Sequence, residues 1–140
     1  MNKTEEILQR WRNRKAAEAA LEQRRLAARA AGLRSGRLLI EAVVLPTLKR
    51  RCDELPEEMN AEVIEISDQQ SQGVSLRASL SKTSQLQFSL AGGRTFYIAA
   101  TIHGEKRDCS FNDAVPFETI NGAYVDKMFN RFLTLLLENN

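Results

Sequence analysis

The sequence has few of the residues from which metal and catalytic sites are usually built. It contains one histidine, His103, and two cysteines, Cys52 and Cys109, which lie far apart in the chain. A zinc site needs three or four converging ligands, and neither cysteine belongs to a CxxC or Cys/His cluster. We therefore expect no metal, no cofactor, an incidental role for the histidine, and two reduced thiols that pack as small apolar groups.

Long apolar runs are also missing. The longest, residues 38–45, contains Glu41 and is followed by Pro46, whereas a membrane-spanning helix needs about 20 consecutive, mostly apolar residues. The N-terminal segment lacks the apolar core and cleavage site of a secretory signal, and its glutamates argue against a mitochondrial transit peptide. We expect a cytoplasmic protein without a membrane segment.

No catalytic motif is recognisable. No serine or cysteine lies in a nucleophile elbow with a base partner. The segment LAGGRTF has two glycines after a strand pattern, but it leads into another strand and lacks the GxxxxGK[ST] phosphate loop. The acidic segment DELPEEMNAEVIE lacks the spacing of a calcium loop and is more typical of a solvated helix end and linker. The sequence thus indicates a protein that is not an enzyme.

Charge is abundant and unevenly distributed. Residues 1–51 hold thirteen Lys/Arg and five Glu, whereas residues 52–140 hold seven Lys/Arg and thirteen Asp/Glu, so the net charge of +2 hides a basic N-terminal third and an acidic remainder. Such asymmetry indicates a basic arm on an acidic body. The arm would bind an anion, or it would lie against the acidic body of another copy of the protein.

The N-terminal third predicts one long helix. Thr4 is a suitable N-cap before two glutamates, and the alanine, arginine, glutamine and glutamate that follow are strong helix formers. The segment GLRSG, residues 32–36, predicts the end of this helix. A heptad pattern started at Ile7 reads Ile, Trp, Arg, Glu, Leu, Arg and Ala, which is not a sustained coiled-coil seam. We therefore expect residues 1–35 to form a basic helical arm (the arm below) with too little apolar surface to fold inward.

Residues 36–140 predict an α+β body. A helix over 36–55 has a wide apolar face, and Pro46 should kink or break it. Alternating apolar residues then predict an antiparallel meander of four to five strands over 61–111, with one covered face and one wet face. A C-terminal helix over 119–138, capped by an asparagine, repeats apolar residues every three or four positions and should cover one face of the sheet.

The hairpin turns can be predicted from register, because a slip of one residue sends every side chain to the opposite face. This reasoning favours three-residue loops at 82–84 and 92–94 and a two-residue loop at 104–105. The expected partners across these turns are Leu80 with Leu86, Leu90 with Phe96, and Ala100 with Cys109.

Two surfaces are candidates for binding. Arginine on the arm suits phosphate and carboxylate geometry, although aromatic groups for base stacking are scarce there. The polar face of the sheet is suited to dock a peptide or another subunit. The candidate residues are Arg10, Trp11, Arg14, Arg24, Arg25 and Arg29 on the arm, and Arg77, Gln87, Tyr97 and His103 on the sheet.

A lone helix in water is only marginally stable, so the arm should pack on something. An acidic body would repel a polyanion, and alanine supplies little of the apolar face that a membrane-surface helix needs. We therefore expect an interaction or adaptor protein, a homodimer or other homo-oligomer, that binds itself or another protein through the arm. Nucleic-acid binding through the arginine clusters is the alternative.

Overall fold

The computed structural model describes residues 2–67 and 72–140. Its helices are α1 (Lys3–Leu39), which continues through a π-helical turn (Ile40–Val44) into α2 (Leu45–Asp53), and α3 (Gly122–Glu138). Its strands are β1 (Glu62–Ser67), β2 (Gln72–Ser79), β3 (Thr83–Ala91), β4 (Thr95–His103) and β5 (Asp108–Pro116). Residues 68–71, which belong to the expected meander, lie outside the described residues.

The five strands form one antiparallel sheet in the order β1-β2-β3-β4-β5, so each strand pairs with its neighbours in the sequence. The π turn and α2 pack over β1 and β2, and α3 packs over β3 and β4. The large strand side chains that are fully buried beneath these helices are Val74, Leu76, Leu86, Phe88, Phe96, Ile98 and Ile102. Each such burial contributes roughly 1.5–3 kcal/mol. The predicted α+β fold, a meander covered on one face by a C-terminal helix, is confirmed.

The prediction that α1 ends in GLRSG is wrong. Gly32 and Gly36 are both buried inside the helix and lie one turn apart, facing the β3–β4 hairpin. A Cβ atom on Gly32 would lie 2.5 Å from the carbonyl oxygen of Gly93, and one on Gly36 would overlap the side chain of Leu90. The two glycines therefore permit close approach of helix and hairpin, and the packing gained outweighs their low helix propensity.

Pro46 does not break the helix. A proline within an α-helix lacks one hydrogen-bond donor and its ring collides with the carbonyl four residues earlier. The π turn lies directly before it, and the N–H of Leu45 donates to the carbonyl of Ile40, five residues back instead of four. Pro46 then falls in the first turn of α2, where no donor is needed.

One of the three predicted hairpin registers is confirmed. The loop at 92–94 places Leu90 opposite Phe96, as expected. The β2–β3 register is wrong, since Leu86 lies opposite Leu76 and the exposed Leu80 belongs to the turn. The β4–β5 register is also wrong. Ala100 pairs with Phe111, and Cys109 pairs with Ile102, across a four-residue connection at 104–107. Both wrong registers still place the apolar side chains on the inner face. Alternation specifies which face a residue occupies, but it does not exclude register shifts by an even number of residues.

The longer β4–β5 connection has a partner in the end of α3. The backbone N–H of Lys106 donates to the carbonyl of Asn139 (3.0 Å), and Arg107 Nε donates to Asn139 Oδ1 (2.8 Å). Gly104 lies so near the Asn139 carbonyl that a Cβ atom would overlap it. These contacts join residues more than 30 positions apart, so local turn rules do not reveal them.

The helix caps were predicted correctly at one of two positions. Asn121 caps α3, since its Oδ1 accepts from the N–H of Tyr124 (2.8 Å). The cap of α1 is Asn2 and not Thr4, because Asn2 Oδ1 accepts from the N–H of Glu5 (2.8 Å). The strand pattern also continues beyond the expected end at residue 111, to Pro116.

Substituting Gly32 tests the close packing of α1 on the hairpin. We expect Gly32→Val to lower the free energy of unfolding by about 1–3 kcal/mol, because the new side chain must displace the backbone of Gly93. Gly122→Ala is the matched control, because a Cβ atom at this position meets nothing within 4 Å. This substitution should leave the free energy of unfolding unchanged or raise it slightly. Urea denaturation measures both, and an unaltered midpoint for Gly32→Val would contradict this account.

Candidate functional site

The free part of the arm is the most unusual surface of the molecule. Residues 3–29 are helical, and every one of them is exposed. At 1.5 Å per residue this part is about 40 Å long. Contact with the body begins only at Ala30 and Gly32. The arm therefore extends away from the body and is not buried in the core of its own chain.

The charged groups of the arm have little contact with the described part of the chain. Its ion pairs are Lys15 with Glu18 (3.8 Å) and Arg25 with Glu22 (3.2 Å), both within one helical turn and well exposed. Exposed pairs of this kind contribute roughly 0–1 kcal/mol. The Nζ atom of Lys15 also lies 5.9 Å from the ring centre of Trp11. Apart from Arg25, the arginines of the arm thus have no ion-pair partner among the described residues.

The six predicted arm residues do not share one face. Because successive residues turn by about 100°, Trp11, Arg14, Arg25 and Arg29 point to the same side of α1 as the buried Gly32. Arg10 lies at the margin of that side, where it forms a shallow concave surface with Trp11, Arg14 and Ile7. Arg24 points away. The structure therefore places most of the candidate residues on one side of α1, but in two separate groups, at 10–14 and at 25–29, about 16 Å apart along the helix.

A second concave surface lies where the arm meets the β3–β4 hairpin. We call it the notch; its central residues are Arg25, Leu26, Arg29, Gly93 and Arg94, and it encloses about 620 Å³. Three guanidinium groups line it against one carboxylate, that of Glu22.

Sequence reasoning missed Leu26, Gly93 and Arg94 as site residues. The double glycine of the hairpin was the signal that could have indicated a close approach to this turn.

The four predicted sheet residues lie on the outer face of the sheet, but they do not form one site. Tyr97 and His103 lie at opposite ends of β4, and Arg77 lies two strands away. Gln87 accepts a hydrogen bond from Gln85 (3.0 Å), and His103 Nδ1 lies 3.6 Å from Asp108. Gln87 and His103 thus interact with neighbours on the same face, and the four predicted residues do not converge on a common point.

Two side chains of the body, Cys52 and Tyr124, have raised pKa values, and burial is the main cause of both shifts. Burial and the nearby carboxylates of Asp53 and Glu62 raise the pKa of the Cys52 thiol, which favours the unreactive protonated form. Burial, followed by the hydrogen bond and charge of Asp113, raises the pKa of Tyr124 above its usual range. The Tyr124 hydroxyl donates to Asp113 at 2.9 Å, joining α3 to β5.

Arg51 links the two helices that cover the sheet. Its guanidinium donates to Glu54 (3.0 Å), lies 3.7 Å from Asp126, and is 4.8 Å from the ring centre of Phe129. This cluster joins α2 to α3. In the described ranges, no three His, Cys, Asp or Glu side chains converge as a metal site would require.

No helix in the described parts of the chain combines the length and apolarity that crossing a membrane requires. No family model matches the sequence, and no curated protein or solved structure is significantly similar to the chain. Its function must therefore be inferred from the geometry of its own surfaces.

Removing the Tyr124 hydroxyl tests its link to Asp113. We expect Tyr124→Phe to lose about 1 kcal/mol of stability at neutral pH. Because the folded state holds this proton to higher pH than the unfolded chain, the contribution is complete below a pH of about 10 and is lost as pH rises further. Urea denaturation from neutral to alkaline pH should show a smaller alkaline decline for the variant. Equal declines would contradict the assignment.

Proposed function

We propose that the protein is a non-catalytic interaction protein that assembles with a protein partner, or with copies of itself, through its N-terminal helix. The observation that carries this proposal is that every residue from 3 to 29 is exposed although the segment is a regular helix. An isolated helix gains little from propensity alone, and most helical stability in proteins comes from packing. A partner surface would supply that packing.

The apolar side chains of the arm support this proposal. Ile7, Trp11, Leu21 and Leu26 are between 49% and 64% exposed. Aromatic and arginine side chains are enriched at the energetic centres of protein interfaces, and lysine is depleted there. The arm carries one tryptophan and six arginines before residue 30, but only two lysines. Its composition is therefore suited to a protein surface that supplies carboxylates.

The attachment of the arm also supports this role. The helix enters the body without a loop, and Gly32 and Gly36 hold it against the hairpin. A helix fixed in direction is already ordered before it binds, which lowers the entropic cost of association. In this proposal the protein acts in the cytoplasm without a cofactor, and the division into arm and body near residue 35 stays a prediction.

Nucleic-acid binding is the second candidate. It is favoured by Arg10, Arg14, Arg24 and Arg29, which have no ion-pair partner among the described residues. Four glutamates alternate with the basic residues of the arm, however, and Trp11 is its single aromatic group for stacking. A protein partner fits this mixed surface better than a continuous polyanion does.

Removing nearly all of the free part of the arm tests the proposal. We expect a chain without residues 2–28 to remain folded, because none of them belongs to the core, and to have the mass of a single copy. The full chain should form a larger species under the same conditions. Light scattering measures the masses and circular dichroism reports the fold. Equal masses for the two chains would contradict a role of the arm in self-assembly.

A salt titration separates the two candidates. A helix that contacted five duplex phosphates would show a log–log slope of affinity against salt of roughly −4 to −5. We expect no retention of the full chain on duplex or single strands at roughly 50 mM salt, and no change in its mass when nucleic acid is added. Tight binding with such a slope would favour the nucleic-acid candidate instead.

A further inference from the structure

Strand β5 lies at one edge of the sheet. Among the described strands it pairs only with β4, and it contains nine residues, which is longer than the typical strand of about five or six. An edge strand directs half of its backbone N–H and C=O groups away from its neighbour. Such groups can pair with a strand of another chain, and native proteins block this pairing by several means.

Two backbone hydrogen bonds show which amides of β5 face the open side. The N–H of Phe117 donates to the carbonyl of Arg94 (3.0 Å), and the N–H of Gly104 donates to the carbonyl of Arg107 (3.2 Å). Both pairs continue the register of β4 with β5, and hydrogen-bonded pairs recur at every second residue of an antiparallel ladder. Odd-numbered residues of β5 therefore direct their backbone groups to β4, and even-numbered residues direct theirs to the open side.

The second half of the β5 edge offers no free N–H group. Pro116 has none, because its nitrogen belongs to the ring. The N–H of Ala114 already donates to Asp113 Oδ1 at 3.0 Å. The last two outward-facing positions are thus unable to donate to another strand. A neighbouring strand could exchange paired hydrogen bonds only along the first half of β5.

Asp113 also places a charge on the inner face of this edge strand. It lies opposite the fully buried Ile98, and the inner-face residues on either side of it are the buried Phe111 and Val115. The second carboxylate oxygen, Oδ2, accepts from the Tyr124 hydroxyl at 2.9 Å. A strand added to β5 would cover this carboxylate, and burying a charge without a compensating partner is costly.

The opposite edge of the sheet has a comparable feature. Glu65 of β1 lies opposite the fully buried Val74, so it too is an acidic residue at an inner-face position of an edge strand. Its side chain is exposed. Both edges of the sheet therefore carry a carboxylate where the adjacent strand is apolar.

We propose that Asp113 and Pro116 protect the β5 edge against pairing with the same edge of another copy. Asp113 does so by occupying the Ala114 amide and by placing a charge where a second strand would cover it. Pro116 does so by removing the last outward-facing donor. Two identical edges can pair antiparallel about a two-fold axis, which makes a second copy the strand to be excluded. The inference does not depend on the proposed function, since β5 is a different surface from the arm.

Amide hydrogen exchange in the wild-type chain tests the bond that closes Ala114. The amides of Ser110, Asn112 and Ala114 all face the open side, but among the described residues only Ala114 donates to the carboxylate of Asp113. We expect its amide to exchange at least about fivefold more slowly than the other two, after correction for intrinsic rates, because the hydrogen bond must open first. Equal corrected rates would overturn the proposal, whether or not any variant folds.

Opening the edge in the full chain tests the protection itself. Asp113→Ala frees the Ala114 amide, and Pro116→Ala adds the missing N–H. We expect Asp113→Ala to raise the mean mass by light scattering at least about twofold over the wild-type chain at the same concentration, since joining along β5 doubles each species. The double variant should associate further, and binding of an amyloid-type dye should rise with the mass. Arm-dependent species are present in the wild-type chain as well, so this comparison isolates the edge.

Two controls separate exposure of the edge from loss of charge and loss of stability. Asp108→Ala removes the same charge from the same strand, but on its outer face. Tyr124→Phe removes the hydrogen bond from α3 and leaves the bond between Asp113 and Ala114. We expect both variants to keep the wild-type mass and dye binding.

Two results with the variants would overturn the proposal. The first is an Asp113→Ala chain that is folded by circular dichroism and has the mass and dye binding of the wild-type chain. The second is association of either control as strong as that of Asp113→Ala, because charge or stability would then account for the effect.

Discussion

The contact of two buried glycines with one hairpin sets the direction of everything that precedes them in the chain. Gly32 and Gly36 bring α1 against Gly93 and Leu90, at a separation that any side chain would prevent. Without this contact the direction of the arm relative to the body would not be fixed. With it, the tip of the arm, the notch and the sheet have fixed relative positions, and a surface on the helix can be shared with a surface on the hairpin.

The molecule separates its apolar and charged residues by location as well as by face. The body buries its large apolar side chains between the sheet and the two helices that cover it. The arm has no apolar stripe that competes for this core, and its charges keep it in solvent. A chain with less charge in its first thirty residues would gain more by folding this segment inward. The uneven charge distribution thus has a structural consequence before it has a functional one.

The fold could be predicted from the sequence to the extent that periodicity encodes it. Alternation in β2–β4 identified the inner face, and apolar steps of three and four identified α3. Registers such as Ala100 with Phe111 depended on Asn139, which no local pattern connects to that turn. The candidate residues of the arm could be named from the sequence, whereas Arg94 belongs to the notch only because the tertiary fold places the hairpin beside the arm. A glycine in a helical sequence can mark either the end of the helix or a point where another backbone packs closely against it, and only the tertiary packing distinguishes the two.

The π turn before Pro46 has a further consequence for the geometry of the long helix. A turn closed across five residues contains one residue more than the regular repeat, which displaces the later side chains by about 100° around the axis. The face that α2 presents to the sheet is therefore out of phase with the face that α1 presents to the hairpin. Deletion of a single residue between 40 and 44 would therefore rotate the first thirty residues to a different position around the body, although the sequence of those thirty residues would be unchanged.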